Sequence, residues 1–449
     1  MNNPLLSLDD LPLFDQIEAA HVAPALDVLL QDAELALQAV TAADFPADWL
    51  AISGVLDVST EKLGRAWGAV SHLNSVADTP ELRAAYNEAL PRVTEFFTRL
   101  GANEQLYAKY KAIDPASLND EQRQAHRNAV RNFVLGGAEL QGAARERFAA
   151  IQERQAEISQ KFSENALDAT DAFAYYAQAD ELAGVPDDVK HTALKAAQND
   201  GKDGYKLTLK MPCYLPVMQF ARSSALRQTL YRAYVTRASD QAGTDLSQFD
   251  NPDIINELLA LRLEEAKLLG YPNFGTVSVV PKMADSPQLV VEFLRDLARG
   301  ARPFAEQDLA DLRSFAEAQL NLTEPQAWDW PFISEKLKEA RYAFNEQEVK
   351  QYFPLPRVLA GLFNIVQSLF EVDIREDHAP VWHESVRFFR IERTNAEGFA
   401  ELVGQFYLDP QARNGKRGGA WMDDVRARWL RPDTQQLQTP VAHLVCNFA

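Results

Sequence analysis

Cysteine is scarce. The 449-residue chain has two, Cys213 and Cys446, far apart and in no CxxC pattern. That excludes a disulfide framework and a cysteine-based zinc module, and it fits a reducing compartment. Positive charge is also in short supply: 45 Lys and Arg stand against 64 Asp and Glu, a formal net charge of −19. Nucleic-acid phosphates and anionic membrane surfaces both attract clustered cations, so neither partner is expected. No apolar run approaches the ~20 residues of a membrane span. The first basic residue is Lys62, and Asp9 and Asp10 lie where a secretory signal would be apolar. The expected location is the cytoplasm.

Familiar catalytic signatures are missing too. There is no GxGxxG after a strand, no GxxxxGK[ST] and no GxSxG, so phosphate cradles and serine elbows have no support. His383-Glu384-Ser385-Val386-Arg387 opens like HExxH. That motif needs a helix, which puts two imidazoles on one face around a zinc. Arg387 replaces the second histidine, and Pro380 and the β-like VRFF run argue against a helix. His383 reads as the start of a strand. A metal cluster of His378 and His383 with Asp377 and Glu384 is an alternative, but irregular chain does not fix ligands by spacing. His72 lies on a helical pattern as a packed or capping histidine. Trp328, Trp330 and Phe332 read as anchors of a loop on the core. The three basic groups from Arg413 to Arg417 form either an anion grip or, more simply, a solvated turn.

What is present is the material of a folded, mostly helical protein: 47% hydrophobic and 24% charged residues. A chain of this length buries a core without staples. Helical patterns run over 23–42, 49–76, 80–100, 103–113 and 120–171, the last broken at Gly136-Gly137. A strand is expected over 204–211, then a bend bracketed by Pro212 and Pro216, then a helix over 217–239. Asn251-Pro252 and Ser286-Pro287 each place a cap residue before an N1 proline. The first of these helices ends at Gly270 and the second meets Gly300 and Pro303. Helices follow over 334–351 and 356–370. Strand patterns over 386–393, 400–408 and 441–448, with Ala420-Trp421-Met422, predict a sheet of three or four strands.

Several segments together carry a resemblance. They are Val70-Ser-His-Leu-Asn-Ser-Val76, Asn165-Ala-Leu-Asp-Ala-Thr170, Tyr214-Leu-Pro-Val-Met218 and Thr236-Arg-Ala-Ser-Asp240. Later ones are Trp382-His383, Phe406-Tyr-Leu-Asp409, Lys416-Arg-Gly-Gly-Ala-Trp-Met-Asp-Asp424 and Pro440-Val-Ala-His-Leu-Val-Cys-Asn-Phe448. In this order the chain resembles the thimet-type zinc oligopeptidases, over essentially its whole length.

The resemblance implies a mostly α, two-lobed zincin-like architecture with a small β-sheet near the carboxy-terminus. It implies hydrolysis of short peptides by zinc-activated water in the cytosol. In that family an HExxH helix follows the strand that resembles Pro440 to Phe448. This chain stops at Ala449, inside an apolar strand pattern, without any of those ligands. The catalytic domain is therefore expected to be incomplete, with zinc a family cofactor that this chain does not bind and a carboxy-terminal half missing. Leu444, Val445 and Phe448 would then lack cover. The expected division is a helical region over 1–170, a connecting segment over 171–215, and the first part of the catalytic domain over 216–449. Gly418, Gly419, Ala420 and Trp421 are the expected substrate-binding border, where an extended peptide pairs with the sheet. A non-catalytic peptide-binding or scaffolding protein is the alternative.

Overall fold

The computed structural model describes residues 3–448 other than 9, 344 and 345. Seven helices come first: α1 (Ala19–Thr41), α2 (Trp49–Ile52), α3 (Val58–Val76), α4 (Pro80–Gly101), α5 (Glu104–Ala112), α6 (Asp120–Leu135) and α7 (Gly142–Ala172). Their starts follow from local chemistry. Thr79 and Asn103 accept hydrogen bonds from backbone N–H groups of the first turn, and Asn119 forms a reciprocal box with Gln122. The break between α6 and α7 falls at Gly136-Gly137. There, Gly137 takes φ +85° and a side chain at Gly136 would meet the Gly101 carbonyl at 2.8 Å.

The middle of the chain departs from the sequence pattern in three places. The expected strand shortens to β2 (Tyr205–Leu207), paired with β1 (Tyr175–Ala177). Both prolines that were to bracket a bend lie inside a helix, α9 (Met211–Phe220), which follows α8 (Asp187–Asn199). Pro212 sits in the first turn, where no N–H is needed, and Pro216 removes a single bond. The expected 217–239 helix is thus split, and α10 (Ser224–Thr236) restarts on the Ser223 cap. Asn251 does not cap α11 (Pro252–Leu268). Its Nδ2 donates to the Phe162 carbonyl at 3.1 Å and its Oδ1 accepts from Asn165 at 2.9 Å, which ties α11 to α7.

After α12 (Phe274–Val279) comes α13 (Pro287–Leu320), capped by Ser286 as expected. It does not stop at Gly300 or Pro303. Its Leu-, Ala- and Glu-rich sequence sustains the helix past one lost bond. Trp330 and Phe332 open α14 (Trp330–Tyr342) instead of a loop, and Phe332 is buried beneath the Arg227 guanidinium. The expected helix over 334–351 is represented by the rest of α14 and by α15 (Glu346–Lys350), and residues 344 and 345 lie outside the described part. α16 (Leu355–Phe370) follows.

The last part is a five-stranded sheet, larger than expected, in the order β3-β4-β5-β9-β6. The strands are β3 (Asp373–Asp377), β4 (Arg387–Thr394), β5 (Ala400–Gln411), β6 (Trp421–Arg426) and β9 (Val441–Phe448). Between β6 and β9, β7 (Trp429–Leu430) and β8 (Leu437–Gln438) form a short hairpin. β5 and β9 are parallel, and the other pairs are antiparallel. Alternation gives the sheet two apolar faces. Phe388, Tyr407 and Val441 enter the same core as Val22, Leu26, Leu63, Leu73 and Phe96 of α1, α3 and α4. Phe389, Phe406 and Leu408 face the other way, against Leu359 and Phe363 of α16. The sheet is therefore seated on the first helices of the chain. Val445 is buried, Leu444 half-buried and Phe448 exposed, so only part of the expected uncovered surface exists.

Two helices are poorly covered. α13 buries only Ala316 and α16 buries no residue fully. Phe293, Leu294 and Leu297 on α13 are exposed, as are Leu362, Ile365 and Leu369 on α16. No described helix is long and apolar enough to cross a membrane.

Candidate functional site

β6 pairs with β9 on one side and, among the described residues, with no strand on the other. It therefore presents a row of unpaired backbone groups, which is the form an extended peptide can add to. The loop before it holds the expected border residues. Gly418, Gly419 and Ala420 are exposed, and Trp421 is half-buried with the Arg417 guanidinium 4.5 Å above its ring. A Cβ at Gly418 or Gly419 would meet nothing within 4 Å. Gly419 has φ +102°, a conformation that favours glycine. Asn447 of β9 donates to the Gly419 and Arg417 carbonyls at 2.6 and 3.1 Å, so the turn is held from below while its outer side stays open.

The residues just upstream correct the reading of a solvated turn. Lys416 is buried, and its Nζ donates to Asp409 Oδ1 at 2.8 Å, to the Asp409 carbonyl at 3.1 Å and to the Gln411 carbonyl at 2.8 Å. All three ammonium hydrogens are used. Arg413 donates to both Asp409 oxygens at 2.7 Å and to the Val76 carbonyl at 2.7 Å. Trp382 Nε1 completes the carboxylate at 3.0 Å. Burial pushes the Asp409 carboxyl up, but the bonds from Arg413, Lys416 and Trp382 outweigh it and hold the group below its ordinary value. Burial pulls the Lys416 ammonium down, and Asp409 partly restores it.

The same loop is fastened to the helices by its backbone. Arg417 N–H donates to the Ser75 carbonyl at 2.9 Å, and the Gly415 carbonyl accepts from Asp78 N–H at 3.0 Å. Gly415 N–H donates to Asp171 at 3.0 Å, and Lys210 reaches Asn414 at 2.7 Å. Gly415 has φ +69°, and a Cβ there would lie 2.7 Å from the Asp78 carbonyl. The ends of α3 and α7 and the start of α9 thus fix where β6 begins.

Directly behind β6 is a cluster that sequence spacing did not reveal. His443 of β9 donates from Nδ1 to Asp423 Oδ1 of β6 at 2.6 Å. Its ring stacks on that of His72 from α3, with centroids 3.5 Å apart and planes 13° from parallel. Trp382 meets His72 edge-on at 4.3 Å, and Phe14 and Tyr407 close the pocket. His72 lies on a helix as expected, but it packs against another histidine and its ring nitrogens cap nothing.

His72, Asp423 and His443 bring one nitrogen or oxygen each within 4.8 Å of one another. The fit to a metal is poor. Imidazole lone pairs lie in the ring plane, and two nearly parallel stacked rings do not aim theirs at one point. His378, His383, Asp377 and Glu384 do not form such a group among the described residues. His383 Nδ1 instead lies 2.8 Å from the Ser385 hydroxyl and accepts from Ser385 N–H at 3.2 Å, in a turn before β4. The sequence contains no HExxH.

The family model described as Peptidase family M3 matches residues 217–449, which include the sheet and its loop. A second, described as the Neurolysin/Thimet oligopeptidase N-terminal domain, matches residues 26–145. Oligopeptidase A of Salmonella typhimurium is 41% identical over the whole chain, and the probable cytosolic oligopeptidase A of Arabidopsis thaliana is 38% identical over 99% of it. The dipeptidyl carboxypeptidase of Escherichia coli is 27% identical over 99%. The chain spans 66% of the Salmonella protein's length and 65% of each of the other two. A family match over more than half of the chain, taking in every strand of the sheet, places this protein in peptidase family M3.

Proposed function

We propose that this chain forms the peptide-holding part of a metalloendopeptidase that hydrolyses short peptides in the cytosol. The observation that carries the reading is the open edge of β6, entered through Gly418, Gly419, Ala420 and Trp421 and held from behind by a buried ionic anchor. Backbone pairing along that edge tolerates varied side chains, which suits a mixed pool of short peptides. Trp421 offers an apolar face beside the first pairing position. The 1–170, 171–215 and 216–449 division accompanies this reading, with the last region carrying the edge.

Zinc in the family supplies an activated water, and the stacked rings of His72 and His443 do not aim, with Asp423, at one point where that metal could sit. Hydrolysis accordingly depends on an HExxH helix outside these 449 residues, and the chain alone binds peptide without cleaving it. The exposed faces of α13 and α16 are the surfaces that such a further segment would cover, since apolar area of this extent calls for a partner. A non-catalytic peptide-binding or scaffolding role is the second reading, favoured by the same missing motif.

Fluorescence anisotropy with short labelled peptides tests the binding. Saturable binding is expected, weakened about tenfold or more by Gly418→Val, whose Cβ enters open space. Absence of saturable binding, or indifference to Gly418→Val, refutes the edge. Chelator-sensitive cleavage by the chain alone refutes the dependence on an outside metal helix.

A further inference from the structure

The stacked histidines behind β6 join three elements that are distant in sequence: α3, β9 and β6. His72 and His443 are both about 3% exposed. Neither ring nitrogen of His72 has a hydrogen-bond partner, nor does Nε2 of His443. Asp423 of β6, partly exposed, accepts from His443 Nδ1. A neutral imidazole carries one N–H and one lone pair, so the His72 ring is held here by stacking and by the Trp382 edge, not by hydrogen bonds.

We propose that the His72–His443 stack is an acid-sensitive latch that holds α3 against β9 and the edge strand β6 while at most one proton is shared by the two rings, and that a second proton releases it. Asp423 Oδ1 lies 2.6 Å from His443 Nδ1, so charge on that ring has a counter-ion. Charge on both rings would put two cations 3.5 Å apart in a buried site.

The surroundings offer that second charge no relief. The charged groups that act on His72 are His443 from β9 and Arg413 and Lys416 from the loop, all of the same sign. Asp409 of β5 is consumed by Arg413, Lys416 and Trp382. Tyr407 of β5 presents a ring, and its buried hydroxyl is unpartnered. Arg426 of β6 and Asp15 both lie near Tyr407 and act on it with opposite sign, Arg426 the more strongly, so together they add no net negative charge there. Burial first, then these cations, holds His72 well below the ordinary histidine value. Separation of the rings is the route by which both become solvated and charged.

Hydrogen exchange of the 449-residue chain, corrected for the chemical pH dependence of exchange, tests the latch. Between about pH 7.5 and about pH 5, amides of β6 and β9 are expected to lose at least about tenfold in protection while the middle of α7 loses none. His72→Phe keeps a stacked ring that takes no proton and should make the protection independent of pH. Asp423→Asn, at an exposed position, removes the carboxylate that balances charge on His443 in the closed stack, so acid opens the stack more readily and the opening should move about one pH unit higher. Unchanged protection of the parent chain over this range overturns the proposal. So does equal loss in His72→Phe, or, if that variant does not fold, an unmoved midpoint in Asp423→Asn.

Discussion

Lys416 Nζ lies 2.8 Å from Asp409 Oδ1, and neither side chain has any exposure to water. Two ions taken out of water are costly unless every lone pair and proton is used, and here they are. The pair spans the turn between β5 and β6, so it fixes the start of the edge strand.

Lys416→Met should therefore cost about 3–5 kcal/mol, because it leaves a buried carboxylate with one cation fewer. Equilibrium urea unfolding measures it. Asp409→Ala strands Arg413 and Lys416 together and should cost at least as much. A loss under about 1 kcal/mol in both would mean that the loop does not rely on the ions.

The two glycines near β6 should respond in opposite ways. Gly415→Ala meets the Asp78 carbonyl and a left-handed backbone, and a cost of about 1–3 kcal/mol is expected. Gly418→Ala meets open space with no positive φ and should stay within about 0.5 kcal/mol. Thermal unfolding of the two variants side by side separates a structural glycine from one that leaves room.

Asn251 supplies a test of its role as a tie. If it were a helix cap, Asn251→Ser would be nearly neutral. Because its amide bridges Phe162 and Asn165 from a buried position, Asn251→Ser should cost about 1–3 kcal/mol, read by urea unfolding.

A pH-dependent effect is expected at Asp57. Burial raises its carboxyl above the ordinary value, with Ser53 opposing. The folded state therefore binds this proton more readily than the unfolded chain, so the group favours folding at low pH and weakens it as pH rises through the folded value. Asp57→Asn removes the buried charge and should be more stable than the parent at neutral pH. The advantage should vanish in acid, below the ordinary Asp value, where both side chains are neutral. Urea midpoints across this pH range decide it.

Local signals in the sequence were good guides where local chemistry decides. The Ser286 cap, the Gly136-Gly137 break and the alternating strands β4, β5 and β9 all depend on neighbours a few residues away. The same signals misled where packing overrides them. Pro303 suggests an end, yet α13 continues because one lost bond is small beside seventeen further residues of good helix formers. Lys416 and Arg413 look like a solvated turn until Asp409, seven and four residues away, is folded underneath them. The sequence points to Gly418–Trp421 only as a candidate border and carries no sign of the ionic anchor beneath it. His72, Asp423 and His443 are too far apart in sequence for any spacing rule; the strand order sets Asp423 beside His443, and the packing of α3 on the sheet adds His72.

β9 is the last strand of the sheet in the chain, yet it lies between β5 and β6. Phe14, near the beginning, rests against Trp382, Tyr407 and His443. During synthesis the first helices thus leave the ribosome with an apolar side whose partner does not yet exist. At ~5–20 residues per second the wait is on the order of tens of seconds. Through that interval the apolar side stays open to wrong partners, and a pause before β9 is made would prolong the exposure. The topology makes completion of the early core wait for the last strand of the sheet.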